Sequence, residues 1–173
     1  MTSSPLDNLV RIGKLKAEPP AQAEFDGLVR SGLVRLRDAE NATLSLESRF
    51  DLAYNAAHAL SLAALRQHGY RSGNRYIVFQ LLPHTLGLGP EVWRVLSKCH
   101  DLRNLGEYEG DLNVDERIVA DLLNACQAVA AKLGVSAFDI DKVLERDDID
   151  AVAICSSTDT HVDLMLSAAQ AGK

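Results

Sequence analysis

Arg103 is followed by Asn104 and, four and five residues on, by Glu107 and Tyr108, within the stretch HDLRNLGEYEG. A guanidinium presents a planar fork that fits two phosphate oxygens, so Arg103 is a candidate phosphate-binding residue. The spacing also has a plainer meaning. Arg103 and Glu107 lie one helical turn apart and make an ordinary intrahelical ion pair worth about 0.3–0.5 kcal/mol, and Tyr108 packs at a helix end. Two histidines are candidates for acid–base chemistry with Arg103, because imidazole exchanges protons near neutrality. His58 lies in YNAAHAL, on a helical stripe with Asp51 and Asn55, and His100 precedes Arg103 by three residues. A hydrogen-bonded core or interface histidine is the competing role for both. His68, His84 and His161 show no metal-ligand spacing, so no metal is expected. Cys99, Cys126 and Cys155 stand 27 and 29 residues apart with no CxxC, which fits reduced cytoplasmic thiols.

These residues must be positioned by helices. Two prolines, Pro19 and Pro20, stop a short opening helix or arm. Phe25, Leu28, Val29, Leu33 and Leu36 then recur at helical spacing between Ala21 and Ala39, a helix weakened by Gly27 and Gly32. From Ser45 to Gly69 the stripe Leu46, Phe50, Ala53, Ala57, Leu60 and Ala64 predicts a second long helix, stopped at Gly69. A third covers Tyr76–Leu86 and is interrupted or restarted around Pro83. A fourth runs from Glu91 to about Tyr108. A fifth, capped by Asn113, runs through Ile118, Leu122, Cys126 and Val129 to Leu133 and ends at Gly134. No strand is expected before Val135, so residues 1–134 read as an all-α bundle sharing one core. The small residues Ala53, Ala56, Ala57, Ala59, Ala63 and Ala64 permit close helix approach and suggest a homodimer contact.

Composition agrees with a folded chain. Apolar residues make up 47% and charged residues 24% of 173 residues, which excludes wholesale disorder. The opening MTSSPLDNL lacks the charged and apolar regions of a secretion signal and no apolar run is long enough to span a bilayer, so neither export nor membrane insertion is expected. The net charge of −6 is uneven: residues 1–137 carry 15 basic and 16 acidic side chains, residues 138–173 carry 3 and 8. No strongly basic face arises, which argues against tight duplex DNA binding.

The Ala-rich YNAAHAL helix and the Arg103-Asn104 motif resemble the HEPN family of four- or five-helix bundles from prokaryotic toxin–antitoxin and defence systems, over about residues 45–133. The resemblance implies a dimeric, cytoplasmic module that binds RNA or a partner protein. Arg103, Asn104, Glu107 and Tyr108 are its implied contact residues. Nucleases of that family carry a His after the Arg, whereas this chain has Glu107 and Tyr108 there, as in non-nuclease members. A noncatalytic role is therefore expected, and a metal-independent ribonuclease using Arg103 with His58 or His100 is the alternative. In some members a neighbouring nucleotidyltransferase modifies a Tyr near this motif, which makes such an enzyme a possible partner and Tyr108 its target.

After Gly134 the pattern changes. Asp139–Arg146 predicts a short helix, Ala151–Cys155 a buried strand and His161–Ala171 a helix. Residues 138–173, FDIDKVLERDDIDAVAICSSTDTHVDLMLSAAQAGK, resemble an internal piece of the Gfo/Idh/MocA oxidoreductases, of the inositol 2-dehydrogenase type. Residues 135–173 thus read as an incomplete, Rossmann-like α/β segment. In that family a Ser/Thr-rich loop ending in His lies beside the cofactor, here Ser156, Ser157, Thr158 and His161. The family's Gly-rich phosphate turn belongs upstream and its Glu-Lys-Pro motif just beyond Lys173, and no GxGxxG occurs. These four residues are therefore expected to be vestigial and no cofactor is expected to bind. An NAD-dependent oxidoreductase fragment working with parts on another chain is the further alternative.

Overall fold

The computed structural model describes residues 4–109, 113–135, 165, 166, 168–170 and 172, the side chains of Glu107 and Glu109 excepted. The chain divides into two units, Met1–Val135 and Ser136–Lys173.

Among the described residues the first unit is built from seven helices and one small sheet. Helix α1 (Pro5–Arg11) begins where Ser4 Oγ accepts the amide of Asp7. Strand β1 (Lys16–Ala17) leads to α2 (Gln22–Glu40) and α3 (Leu46–Gln67). Strand β2 (Tyr70–Arg71) follows, then α4 (Arg75–Gln80), α5 (Leu82–Thr85), α6 (Pro90–Glu109) and α7 (Glu116–Leu133).

Several ends follow from local chemistry. Ser45 caps α3 by accepting the amide of Ser48 at 3.2 Å, and Asn74 caps α4 through Ile77 at 3.1 Å. The expected third helix is two, broken at Leu81, with Pro83 in the first turn of α5 where its missing N–H costs nothing. Helix α7 is capped by Asp115, whose Oδ1 accepts the amide of Ile118 at 2.8 Å, and not by Asn113. Gly134 closes α7 at φ +75°, a left-handed position that favours glycine.

The long helices α2, α3, α6 and α7 enclose the main core, which includes Phe50, Tyr54, Leu60, Leu96, Leu122 and Val129. Gly32 weakens α2 in isolation but lets it approach α3, since a Cβ there would fall 2.7 Å from Leu60 Cγ and 3.3 Å from the carbonyl oxygen of Ala56. Ala53, Ala56, Ala57, Ala59, Ala63 and Ala64 are all buried in the same chain. The small-residue stretch is thus occupied by intramolecular packing, and the homodimer expectation loses that support. A second cluster of Leu6, Leu15, Leu65, Val78 and Leu81 holds the N-terminal arm.

The expectation of no strand before Val135 is corrected by β1 and β2, paired antiparallel with Lys16 opposite Arg71 and Ala17 opposite Tyr70. Two residues carry no readable alternation, and a polar clamp holds them. Arg66 is buried on α3. Its Nε donates to Glu24 at 2.9 Å and its terminal nitrogens to the carbonyls of Glu18, Pro19 and Tyr70. Arg71 bridges Glu18 and Glu24 from β2.

In the second unit, residues 165, 166 and 168–170 are helical, with Ala168 buried and Met165 and Leu166 exposed. The expected helix Asp139–Arg146, the strand Ala151–Cys155 and the loop bearing Ser156, Ser157, Thr158 and His161 lie outside the described residues.

Candidate functional site

One stripe of α3 carries Asp51, Tyr54, Asn55 and His58 at helical spacing. It faces Arg75, Tyr76 and Phe79 from α4, and His100, Arg103 and Asn104 from α6. Tyr54 is the centre. Its ring is buried between core and surface, packing edge-on to Phe79 at 5.7 Å between centroids and alongside Phe50 at 6.5 Å. Its hydroxyl meets His100 Nδ1 at 2.8 Å. The other ring nitrogen of His100, Nε2, lies 3.0 Å from Asn104 Nδ2. An amide nitrogen donates, so Nε2 accepts, and Nδ1 keeps its proton and donates to Tyr54 Oη.

Two guanidinium groups lie over the Tyr54 ring, Arg75 at 5.7 Å and Arg103 at 5.2 Å from its centroid. Arg75 Nη1 donates to Asn55 Oδ1 at 3.0 Å, and Arg103 Nε faces Asp51 Oδ1 at 3.5 Å. The Arg103 ion pair across to α3 was not expected from the sequence. The expected Arg103–Glu107 pair involves a side chain outside the described residues. Tyr108, at 86% exposure, stands away from the core and does not pack at the helix end as expected.

His58 lies half-buried with its ring edge-on to Phe79 at 6.1 Å and makes no hydrogen bond among the described residues. Burial, then the charges of Arg75, His100 and Arg103, push its pKa down to about 4. His100 is also held below the ordinary imidazole value, chiefly by burial and further by Arg103 and Arg75, with Asp101 opposing. Both histidines are neutral at pH 7. His100 spends both nitrogens on Tyr54 and Asn104, and His58 holds a proton too weakly to be a general acid at neutral pH, so this arrangement favours binding over proton transfer.

The structure therefore brings His58, His100, Arg103 and Asn104 together. Sequence reasoning missed Tyr54 and Arg75 as members of the cluster. The detectable signal was the polar stripe Asp51-Asn55-His58 beside the apolar stripe of α3; nothing local marks Arg75. A separate cleft lined by Pro20, Ala21, Gln22, Phe25, Arg66 and Gln67 contains the guanidinium of Arg66, whose three nitrogens are all engaged within the clamp. Cys99 and Cys126 are buried thiols whose pKa values are pushed up to about 12 by desolvation, which makes them inert. Among the described residues no group of three His, Cys, Asp or Glu side chains is placed to hold a metal, and no helix is long and apolar enough to cross a membrane.

Comparison with known proteins points to the other part of the chain. Residues 111–173 match the Gfo/Idh/MocA model, described as an oxidoreductase family with an NAD-binding Rossmann fold. Inositol 2-dehydrogenase from Rhizobium meliloti (strain 1021) is 44% identical over 64 residues, 35% of this chain and 19% of that protein. The chain thus spans about a fifth of the length of the curated relative it matches. No solved structure matches. The likeness begins at residue 111 and not at Phe138, and so takes in α7, whose Val119, Leu122, Cys126 and Val129 are buried in the core of the first unit.

Proposed function

We propose that residues 111–173 are a stretch of the nucleotide-binding kind found in NAD-dependent oxidoreductases, of the inositol 2-dehydrogenase type. The observations that carry this reading are the 44% identity over 64 residues to that enzyme and the family-model match over residues 111–173. No GxGxxG turn occurs in the 173 residues, so the turn that cradles a pyrophosphate in that fold is not among them, and this chain alone is expected neither to bind NAD nor to oxidise an inositol. Its Ser156, Ser157, Thr158 and His161 act only where phosphate turn and substrate pocket are supplied from elsewhere. The test is a chimera of the Rhizobium meliloti enzyme in which residues 111–173 replace the matching segment. Inositol-dependent NAD reduction supports the reading. A soluble, folded chimera without activity overturns it, and saturable NAD binding by the present chain in calorimetry would refute the claim of dependence.

A second reading belongs to the helical unit and is favoured by a different observation, the gathering of Arg103, Asn104 and His100 on one face with both His100 nitrogens already engaged. It is that of a HEPN-like, dimeric, cytoplasmic interaction module of a toxin–antitoxin or defence system. Such a module binds RNA, or a partner such as a nucleotidyltransferase, and cuts RNA poorly or not at all. Light scattering is expected to give about twice 18.8 kDa, and incubation with total RNA to leave it intact. A monomer sinks the dimer, and cleavage lost in Arg103→Ala promotes the ribonuclease.

A further inference from the structure

Tyr54 collects two cations from two different helices, and both are tethered from a third. Arg75 comes from α4 and Arg103 from α6, while Asn55 and Asp51, one turn apart on α3, hold them. Asn55 is itself fixed, its Nδ2 donating to the carbonyl of Asp51 at 2.8 Å. Like charges over one ring repel, and this arrangement is relieved when an anion joins them. Asp51 is a carboxylate paired with Arg103, and its side chain is 57% exposed, so an incoming anion can replace it in that pair at little cost.

We propose that Arg75 and Arg103 are the two arms of a phosphate-binding site on the α3–α4–α6 face, taking a phosphate oxyanion presented by single-stranded RNA or by free phosphate. The inference rests on the reading of the helical unit as an RNA-binding module and adds to it Arg75, which lies far from the Arg103 motif in sequence. Forked guanidinium groups suit the oxygens of one phosphate. The half-buried His100 and His58 line the same face. The charges acting on His58 are those of Arg75 from α4 and Arg103 from α6, both positive, with His100 from α6 adding a like charge only when it is protonated and the apolar edge of Phe79 as its other neighbour. A bound phosphate reverses that field and draws a proton onto His58, so affinity rises as pH falls.

The experiment measures binding of an oligouridylate by fluorescence anisotropy and of inorganic phosphate by calorimetry, using the full chain. Arg75→Gln and Arg103→Gln are each expected to weaken both by about tenfold, while Arg94→Gln, on the outer face of α6, changes them less than about twofold. Thermal melts establish that each variant is folded. Should Arg75→Gln not fold, Arg75→Lys replaces it, with an expected loss of about threefold because the fork is gone. Neither uracil nor a phosphodiester titrates between pH 7 and 5.5, so oligouridylate affinity should rise severalfold over that range in the wild type and stay level in His58→Gln. Oligouridylate binding that depends on Arg103 and ignores Arg75 overturns the two-armed site and leaves the module reading standing. Phosphate binding that depends on Arg75 without oligouridylate binding keeps the site and removes the RNA reading. Binding of neither removes both.

Discussion

His58 shows how one side chain reports its surroundings. In the unfolded chain it titrates near the ordinary 6.5, and in the fold its pKa is about 4. A histidine whose folded pKa is depressed stabilises the fold above the unfolded pKa, and that contribution is lost as pH falls toward the folded value. The loss is on the order of 3 kcal/mol across the window from pH 6.5 to 4. Urea midpoints measured at pH 7, 5.5 and 4.5 should therefore fall in the wild type, and much less in His58→Gln. His100 shifts in the same direction and supplies the remainder. Glu18 and Glu24 act in a lower window. Hydrogen bonds from Arg71 and Arg66, respectively, hold their carboxyls below the ordinary 4.5, so their contribution is present above that value and disappears as pH falls beneath it. An acid titration that shows one transition only below pH 4.5 would contradict the role of His58.

At the level of elements, the start of α7 separates two residues that sequence rules rank alike. Asn113 and Asp115 are both good caps by type. Only Asp115 accepts an amide of α7, from Ile118, and its charge also suits the positive end of the helix. Asp115→Ala is expected to cost about 1 kcal/mol, whereas Asn113→Ala should stay within about 0.5 kcal/mol of wild type, as exposed substitutions usually do. Equal losses from both, measured by chemical denaturation, would place the start of the helix elsewhere. The contact between α2 and α3 makes a related point. Gly32 reads as a weak place in a helix until Leu60 and Ala56 are seen pressed against it.

For the whole molecule the informative feature is an overlap. The oxidoreductase likeness begins at residue 111, while the helical unit runs to Val135, so α7 belongs to both descriptions. An amphipathic helix permits this, because the apolar face that a Rossmann-type helix turns to its sheet is equally able to turn to another helix. Its burial here has a testable consequence. A chain ending at Val135 should retain a cooperative melt close to that of the full chain. One ending at residue 110 strips Val119, Leu122, Cys126 and Val129 from the core and should lose cooperativity, since truncating one buried leucine to alanine already costs about 2–5 kcal/mol. Circular dichroism melts of the two truncations check this. A cooperative melt from the shorter chain would show α7 to be dispensable.

The helices were legible along the chain because their causes are local: apolar residues every three to four positions, Ser45 at the start of α3, Gly134 at the end of α7. The tail's likeness to oxidoreductases was legible too, although its start was placed too late. A run of buried small and apolar residues looks the same whether it will meet a sheet or a bundle. The candidate site was legible only in part. Arg103, Asn104, His58 and His100 stood out by residue type, but Arg75 and Tyr54 did not. Their roles rest on neighbours brought from other helices, Asn55 for Arg75 and His100 for Tyr54. The strands β1 and β2 were hidden for the same reason, since two residues have no period and are held in place by Arg66, Glu18 and Glu24 across the fold. Periodicity and caps act over one or two turns and can be read in order along a sequence. Charge pairs and ring contacts act across space, and which ones form depends on how the helices pack.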